Sequence, residues 1–506
     1  MSIGFTKSVA LLGISGSIVE IEVDISDGIP MYSLLGLPDA ALQESRDRVR
    51  AAITNCDEIW PNRKVTVSMS PAWLPKSGSS FDLSIALGIL IAHQVIPQEP
   101  LDATVVLGEL ALDGKIRSVR GVLPALIAAY QAGITRAVIP MSNRAEALLM
   151  PQMQILTFEN LHNVLQWMRT GVTPELQELD LENTERDSYL DFQDVAGQSK
   201  ARFAAEVAAT GGHHLLLIGP PGAGKTMIAS RIPSIMPALT IDQALEVTAV
   251  HSISGALGTR SPMSLLAPII SPHHTASRVS IVGGGSHVIK PGACSLAHNG
   301  VLFIDEAPEC ASGVLDSLRQ PLESGTITIT RSVGNITFPA EFLLVLAANP
   351  CPCGKFSGKG RGCQCSSLSV RRYLGRLSGP LMDRIDMRVQ VDPVSRVEMA
   401  ATELGESSEV IRERVIAARA VAAERFKSQN WHLNSQIPSR ELRTSYRPER
   451  EAMNFLHDEL DHERITARGM HKVLRLSWTL ADLAGRNIPL LADVQRSFSL
   501  REGSEI

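Results

Sequence analysis

Residues 219–226 read Gly219-Pro220-Pro221-Gly222-Ala223-Gly224-Lys225-Thr226, which fits the phosphate-loop pattern G-x-x-x-x-G-K-S/T. An apolar run at 214–218 leads into this loop, and residues 227–232 leave it with helical character. In a strand–loop–helix arrangement, backbone N–H groups and the helix N-terminus bind phosphates. Lys225 would reach the β- and γ-phosphates of ATP, and the Thr226 hydroxyl would hold Mg²⁺. Short glycine patterns also match by chance, so the prediction of a nucleotide site needs a second motif.

Two further apolar segments end in side chains suited to phosphate chemistry. Residues 301–306 read VLFIDE, a predicted strand that ends in Asp305 and Glu306, as a Walker B element does. Asp305 would hold Mg²⁺ through water, and Glu306 would polarise the attacking water. Taken alone, this segment could also be a strand that ends in acidic turn residues. The strand at 343–348 ends at Asn349, which could sense the γ-phosphate, and the three strands together predict nucleotide hydrolysis.

Length and composition limit the class of protein. A chain of 506 residues should form two to four domains. The net charge of −5 does not indicate a nucleic-acid binder, although a local basic surface or an oligomeric pore remains possible. The N-terminus lacks the features of a signal peptide, and the apolar stretch at 83–92 is too short to span a bilayer. Seven cysteines, four of them clustered, suit a reducing compartment, so we expect a soluble, cytoplasmic protein without membrane association.

The pattern along the chain predicts an α/β protein with four segments. Residues 1–170 alternate short strands and helices as a separate α/β domain, and the acidic residues 171–194 read as a linker. A parallel-sheet nucleotide core is expected at 195–395 and a helical lid at 396–506. In the first segment the predicted strands are 18–25, 64–69, 104–107 and 137–139, and the predicted helices are 41–55, 82–93 and 123–132.

The cysteine cluster reads C-x-C, nine residues, then C-x-C, with a basic, glycine-rich loop at 355–362 between the pairs. Four thiolates brought together in this way suit tetrahedral Zn²⁺, although the spacing is tighter than the usual C-x₂-C pair. An iron–sulfur cluster or unliganded thiols are the alternatives. The site would be structural because four protein ligands leave no open position. Its predicted ligands are Cys351, Cys353, Cys363 and Cys365.

The stretch from 271 to 354 contains SPHHTASRVSIVGGGSHVIKPGACSLAHNGVLFIDEAPE, LDSLRQPLESGTITITR and FPAEFLLVLAANPCPCG. These segments resemble the Mg-chelatase-like AAA+ ATPases, specifically the ComM/YifB branch linked to competence. GLPDAALQESRDRVRAAI at 36–53 and ITARGMHKVLRLSWTLADLA at 465–484 resemble the same branch, so the likeness covers nearly the whole chain. It implies a homo-hexameric ring with nucleotide at subunit interfaces, and a helix-2 insertion at 255–292 and a β-hairpin at 326–338 that face the pore.

The resemblance also implies roles for arginines near the end of the chain. Arg384 matches the arginine of the family's Asp-Arg-Phe/Ile-Asp segment and would enter the neighbouring active site, an effect worth ~10³-fold or more in related enzymes. An ordinary surface salt bridge is the alternative for this residue. Arg468 matches the lid's sensor arginine and would contact nucleotide in its own subunit. Arg475 is the competing choice for that role.

The first segment resembles the proteolytic domain of Lon. Residues 75–80 and 108–114 carry this likeness, and Ser80 falls about where Lon has its nucleophile. The partner lysine would fall near Leu123, and no lysine occurs between Arg117 and Arg136. Without a lysine to act as base, a serine hydroxyl is a poor nucleophile. We therefore expect an inactive Lon-like fold used for assembly or for contacting a substrate.

The branch that the sequence resembles favours a DNA motor that drives branch migration in recombination during natural transformation. Its partners would be single-stranded or branched DNA and recombination proteins. Arg278, Lys290 and Arg331 lie in the segments expected to line the pore and could contact phosphates without sequence preference, or could be solvated surface. A Mg-chelatase-type metal-insertion subunit is an alternative that the Lon-like segment and the cysteines disfavour. A protein-remodelling or proteolytic machine is a second alternative, disfavoured by the missing lysine.

Overall fold

Two β-sheets, one in each half of the chain, organise the structure, which is a computed structural model. It describes residues 3–173, 190–257, 263–285, 289–311, 313–331, 334–356, 362–395 and 405–503. Most of the linker predicted at 171–194 therefore lies outside the described residues. Within these ranges, no helix is both long and apolar enough to cross a membrane.

The first sheet is mixed, with seven strands in the order β3-β4-β2-β1-β5-β8-β9. Its interior follows the period-two pattern of a strand with one buried face. In β2, for example, Val19, Ile21 and Val23 are buried while Glu20 and Glu22 are exposed. The strands of this half are Ile3–Leu12 (β1), Ser15–Ser26 (β2), Met31–Leu35 (β3), Lys64–Ser70 (β4), Thr104–Val106 (β5), the short pair Glu109–Leu110 (β6) and Ile116–Arg117 (β7), Arg136–Pro140 (β8) and Gln154–Phe158 (β9).

Six helices are described in this half of the chain, and the longest predicted one is divided. The pattern at 41–55 predicts a single helix, whereas the structure has two that are separated at Glu44. The helix that begins at Asp82 is buried along its whole length; its sequence is mostly apolar, and its polar Asp82 and Ser84 side chains are hydrogen-bonded. The helices are Ala40–Gln43 (α1), Ser45–Asn55 (α2), Asp82–Ala92 (α3), Val122–Gln131 (α4), Arg144–Ala147 (α5) and Leu161–Thr170 (α6).

The second sheet is parallel, with five strands in the order β11-β12-β15-β10-β16. Most of its strands are continuous apolar runs because helices cover both faces, whereas the strand at Met387–Gln390 alternates apolar and polar residues. Parallel strands all end at one edge of the sheet, where open α/β sheets bind ligands. The strands of this half are Leu215–Ile218 (β10), Ile269–Ile270 (β11), Gly300–Ile304 (β12), the hairpin Thr326–Arg331 (β13) and Gly334–Pro339 (β14), Phe342–Ala348 (β15) and Met387–Gln390 (β16).

Helices surround this sheet and form a C-terminal bundle against it. In the bundle, the Trp478 ring packs edge-on against Tyr446, and its indole N–H donates to the Tyr446 carbonyl at 3.0 Å. The helices are Ser199–Gly211 (α7), Lys225–Ile235 (α8), Ile241–Ser254 (α9), Arg278–Val282 (α10), Ala293–Leu296 (α11), Arg319–Ser324 (α12), Ser367–Leu374 (α13), Gly379–Met382 (α14), Ser408–Arg425 (α15), Arg450–Asp461 (α16), Ala467–Leu483 (α17) and Leu491–Glu502 (α18). Short 3₁₀ turns lie at Glu99–Leu101, Met141–Asn143, Phe192–Asp194, Ala307–Glu309, Leu315–Leu318, Asn434–Gln436 and Glu441–Arg443.

A buried hydrogen-bond cluster joins the two halves, where α4 packs on α9. The Ser252 hydroxyl on α9 donates to the Glu146 carboxylate and accepts from the Gly121 N–H at 2.9 Å. Glu146 also accepts from the backbone N–H of Leu123 at 2.8 Å and from the amide of Asn143 at 3.3 Å. Burial raises the pKa of Glu146, and these donors oppose that shift. The second half of the chain is thereby attached to the first half through satisfied buried polar groups.

Candidate nucleotide site

The phosphate loop connects β10 to α8 at the carboxyl edge of the parallel sheet. Gly222 and Gly224 adopt left-handed φ angles of +78° and +91°, which residues with a Cβ adopt only with strain. The Lys225 ammonium is buried and donates to the carbonyls of Gly219 at 2.6 Å and Pro220 at 3.0 Å. Backbone carbonyls therefore hold this cation in place at the mouth of the loop.

Lys225 also connects the loop to the end of β15. Its ammonium donates to Asn349 Oδ1 at 3.1 Å, so the predicted sensor lies directly beside the predicted phosphate-binding lysine. Burial lowers the pKa of Lys225, and the nearby Asp305 and Glu306 carboxylates oppose that shift. The four groups from three strand ends thus face one place, as their positions in the sequence predict.

A hydroxyl and a carboxylate meet where Mg²⁺ is expected. Thr226 Oγ1 donates to Asp305 Oδ2 at 2.7 Å, across the ends of β10 and β12. Hydroxyl and carboxylate oxygens are the ligands that Mg²⁺ prefers, usually together with waters and phosphates. The pair therefore fits the Mg²⁺ site expected for a nucleotide bound in the loop.

Glu306 stands apart from this pair, in a backbone conformation with φ of +49°. Its carboxylate Oε2 lies 3.1 Å from Nδ1 of His274, and its side chain is 47% exposed. The sequence analysis did not identify His274. The paired histidines in the quoted stretch SPHHTAS were the available signal, but nothing local indicates that one of them reaches the Walker B strand.

The arginines near the end of the chain lie at the opposite edge of the same sheet. Met387, the first residue of β16, pairs with Leu215, the first residue of β10, so Arg384 precedes the amino end of the strands. Arg384 forms an ion pair with Glu323 and donates to the Pro380 carbonyl at 2.5 Å. The salt bridge considered as the alternative is thus present in the single chain.

The placement of Arg468 differs from the sequence expectation. Its guanidinium lies 3.5 Å from the carboxylate of Asp383, and it lines a cavity of about 270 Å³ together with Arg384 and Arg475. This cavity is at the amino edge, whereas the phosphate loop is at the carboxyl edge. In this single chain α17 holds Arg468 beside Arg384 and away from its own phosphate loop, and the role of Arg468 as the lid's sensor stays a prediction. Arg475 donates to the Ile437 carbonyl at 2.8 Å and is more buried.

A buried ion pair fixes this arginine segment to the helical bundle. Lys472 Nζ on α17 lies 2.6 Å from Asp386 Oδ1, and both side chains are at most 10% exposed. Lys472 also donates to the Arg384 carbonyl at 2.8 Å, and Asp386 Oδ2 accepts from the His214 N–H at 2.8 Å. Burial disfavours ionisation of Asp386, but the Lys472 ammonium outweighs it and holds the pKa of Asp386 well below its usual range.

The four predicted zinc ligands come together beside the phosphate loop. All four sulfurs lie within 4.8 Å of one another. The separations from Cys351 Sγ to Cys353 Sγ and Cys363 Sγ are 3.3 and 3.7 Å, close to the edge of about 3.8 Å that a tetrahedron with Zn–S bonds of 2.3 Å requires. Gly354, at φ +72°, approaches Pro221 so closely that a Cβ would lie 2.5 Å from its ring. The donor set therefore fits zinc, and Cys365 completes it.

The insertion and the hairpin are described in part. Arg278 begins α10 and is exposed, as is Lys290, whose backbone pairs with Gly284. Ile281 on α10 and Ile329 on β13 pack in one apolar cluster, so the two segments support each other. The side chain of Arg331 and residues 332–333 at the predicted hairpin tip lie outside the described residues.

The Lon-like segment shows no arrangement of a serine with a lysine base at the predicted positions. Leu123 is buried in the apolar cluster beneath α4 and donates its N–H to Glu146. The carbonyl of Ser80 accepts from the Gly108 N–H at 2.9 Å. Its neighbour Ser79 donates to the carboxylate of Glu109. The expected absence of peptidase chemistry stays a prediction.

Known protein families and individual proteins match this chain over nearly its whole length. Family models match residues 191–399 (magnesium chelatase, subunit ChlI), 21–143 (subunit ChlI of Mg-chelatase) and 405–501 (magnesium chelatase, subunit ChlI C-terminal). The competence protein ComM of Haemophilus influenzae is 39% identical over 491 residues, which cover 96% of this chain and 94% of that protein. The protein YifB of Escherichia coli is 37% identical over 502 residues, 99% of this chain and 97% of that protein. A Lon protease of Clostridioides difficile is 25% identical over 177 residues, 32% of this chain and 22% of that protein.

These matches confirm the predicted fold class of a Lon-like α/β segment, an AAA+ core and a helical region. The family implies ATP and Mg²⁺ as cofactors, in agreement with the loop, carboxylate and amide brought together at the carboxyl edge. Full-length similarity to ComM and YifB, together with this site, shows that the chain belongs to the Mg-chelatase-like AAA+ family, in the group of ComM and YifB.

Proposed function

We propose that this protein is a homo-hexameric, ATP-driven DNA motor that drives branch migration during recombination in natural transformation. The observation that carries the proposal is the contact between the insertion and Glu306 through His274. The same insertion exposes Arg278 and Lys290. A basic surface that is attached to the hydrolytic site can move with the nucleotide state, as a motor requires. The printed name of the relative ComM, a competence protein, supports DNA as the track.

Hydrolysis follows from the groups at the carboxyl edge. Lys225, already held by two carbonyls, binds the β- and γ-phosphates, and Asn349 beside it senses the γ-phosphate. Thr226 and Asp305 would hold Mg²⁺, which supplies charge neutralisation on the phosphates. Glu306 accepts a hydrogen bond from the attacking water and orients it towards the γ-phosphate.

A neighbouring subunit completes the site. Arg384 and Arg468 lie at the edge of the sheet opposite their own phosphate loop, where they face the next subunit of a ring. We propose that both stabilise charge on the phosphoryl group bound by that neighbour. The ion pair between Arg384 and Glu323 then opens when the interface forms. Activity would depend on assembly for this reason.

The cysteine cluster lies next to the phosphate loop, at the carboxyl edge of the parallel sheet. We propose a structural Zn²⁺ held by Cys351, Cys353, Cys363 and Cys365, since their sulfurs already have nearly tetrahedral spacing. Zinc coordination contributes folding free energy directly. Because Cys351 follows Asn349 by two residues and Gly354 touches Pro221, the metal would fix both the sensor and the phosphate loop.

The experiment compares ATP turnover by the purified protein with three additions: a four-way DNA junction, a porphyrin with a chelatase partner subunit, and an unfolded protein. Stimulation by the junction supports the proposal. Lys290→Ala and Arg331→Ala should keep ring assembly and basal turnover but lose this stimulation. Lys427→Ala, which removes an exposed cation of the helical bundle, is the matched control and should retain it. DNA affinity should fall more than about tenfold over a fewfold rise in salt if several phosphates are contacted.

The other additions test the alternatives. Stimulation by the porphyrin and partner subunit alone would indicate a metal-insertion ATPase, and stimulation by unfolded protein alone would indicate a remodelling machine. Rings that neither bind DNA at low salt nor respond to the junction would contradict the DNA motor.

A further inference from the structure

A histidine of the insertion lies against the proposed catalytic carboxylate. Strands β11 and β12 are parallel, with Ile270 opposite Leu302. His274 follows β11 and Glu306 follows β12, so the two residues leave neighbouring strands at the same edge of the sheet. There, Nδ1 of His274 lies 3.1 Å from Oε2 of Glu306.

We infer that His274 is a positioning residue for Glu306 and aims its carboxylate at the attacking water. This inference rests on the proposed role of Glu306 as the group that orients the water. A carboxylate has only acceptor oxygens, so His274 can pair with Glu306 by carrying a proton on Nδ1, the ring atom that lies 3.1 Å from Oε2. Oε1 then remains for the water. One donor thereby fixes the orientation of the carboxylate while leaving an acceptor for catalysis.

The surroundings explain why Glu306 needs such a partner. Its backbone is in the left-handed region, and its side chain is about half exposed, at 47%. A glutamate with three side-chain torsions in solvent samples many rotamers. Asp305, one residue earlier, is held by the Thr226 hydroxyl and by the Glu306 N–H at 2.8 Å. The contact with His274 restricts the orientation of the Glu306 carboxylate, as these two hydrogen bonds restrict that of Asp305.

The histidine is itself held in place. The ring of His273 lies 4.2 Å from that of His274, centroid to centroid, with 32° between their planes. His273 Nδ1 is 2.8 Å from the Thr275 hydroxyl, and Ser277 caps α10 by accepting from the Ser280 N–H. The His274 side chain is 31% exposed. Its position therefore depends on the short segment between β11 and α10.

The test compares variants of His274 that differ in the position of the hydrogen-bond donor on the side chain. Asparagine carries its amide nitrogen on Cγ, as histidine carries Nδ1, whereas glutamine places it one bond further out. We expect His274→Ala to lower kcat about tenfold while the KM for ATP stays within about twofold, because binding is intact but the carboxylate is no longer oriented. His274→Asn should recover most of the loss and His274→Gln should not. Lys427→Ala, which removes an exposed cation of the helical bundle outside this segment, is the control, and its kcat should stay within about twofold of the unchanged protein.

Glu306→Gln, measured in parallel, separates two failures. If Glu306→Gln hydrolyses ATP normally, the proposed role of Glu306 is wrong and the inference falls with it. If Glu306→Gln is inactive but His274→Ala keeps the normal kcat, only the positioning role of His274 is overturned. The same conclusion follows if His274→Asn and His274→Gln lose activity equally. A rise in kcat for His274→Ala would overturn it too. Nucleotide binding by each variant verifies that the fold is intact.

Discussion

The ion pair between Lys472 and Asp386 should be a main stabilising contact between the helical bundle and the parallel sheet. Replacing the lysine by methionine keeps most of the apolar stem but removes the charge. Asp386 then remains buried next to the sheet with the His214 N–H as a remaining donor. The Arg384 carbonyl also loses its donor.

The magnitude follows from burial. Because both side chains are at most 10% exposed, Lys472→Met leaves an uncompensated buried carboxylate, which costs about 3–5 kcal/mol. With a urea m-value of about 3 kcal/mol per M for a unit of this size, the midpoint should fall by about 1 to 1.7 M. The double variant with Asp386→Asn should regain part of the loss, since no charge is then buried unpaired.

The assay is urea unfolding followed by tryptophan fluorescence, to which Trp431 and Trp478 of the bundle contribute. Lys427→Met is the control: its ion pair with Glu424 is exposed, and its loss should change stability by less than about 1 kcal/mol. The native pKa of Asp386 lies below its unfolded value of about 3.9, so the pair stabilises fully above that pH and loses its effect as the pH falls through the native pKa. Equal midpoints for Lys472→Met and the control would refute this reasoning.

The other predictions concern the site. Lys225→Ala should abolish nucleotide binding, while Glu306→Gln should bind ATP without hydrolysing it; a fluorescent nucleotide and phosphate release distinguish the two. Arg384→Ala and Arg468→Ala should each bind ATP without turnover, and mixing either with Lys225→Ala subunits should restore some activity; no recovery in either mixture would contradict action across the interface. Protein purified without chelator should contain about one zinc per chain, and Cys363→Ser should lower that content and the thermal stability; a metal-free protein of full stability would exclude the zinc site.

Elements whose signals are local could be predicted from the sequence. The strand before the phosphate loop, the Walker B strand and the strand before Asn349 were predicted to within two residues, because each is an apolar run next to its motif. β1 was not predicted, because its buried face carries Thr6 and Ser8 rather than apolar residues alone. Their hydroxyls donate to the carbonyls of Ser84 at 3.1 Å and Val106 at 2.8 Å, which makes burial tolerable but hides the pattern.

Contacts that depend on packing over long sequence separations could not be predicted. The partner of Glu306, His274, lies in the segment that follows an edge strand of only two residues, and no local pattern indicates their contact. The edge at which Arg468 lies depends on how α17 packs against the segment before β16, which no local pattern encodes. The cysteine cluster could be predicted because its four cysteines lie close together in the sequence.

The turn from Gly121 to Leu123 has a consequence for the ancestry of this fold. At the place where Lon is expected to present its lysine, this chain uses a backbone N–H to hold Glu146, which in turn holds Ser252 of the other half. A lysine at 123 would keep this backbone N–H but would place its ammonium in the apolar cluster where the Leu123 side chain is buried. Gaining a base at this position would therefore disrupt the packing next to the attachment. A lineage that came to use this turn to attach the two halves could not regain peptidase activity by one substitution without weakening the contact between the Lon-like segment and the ATPase core.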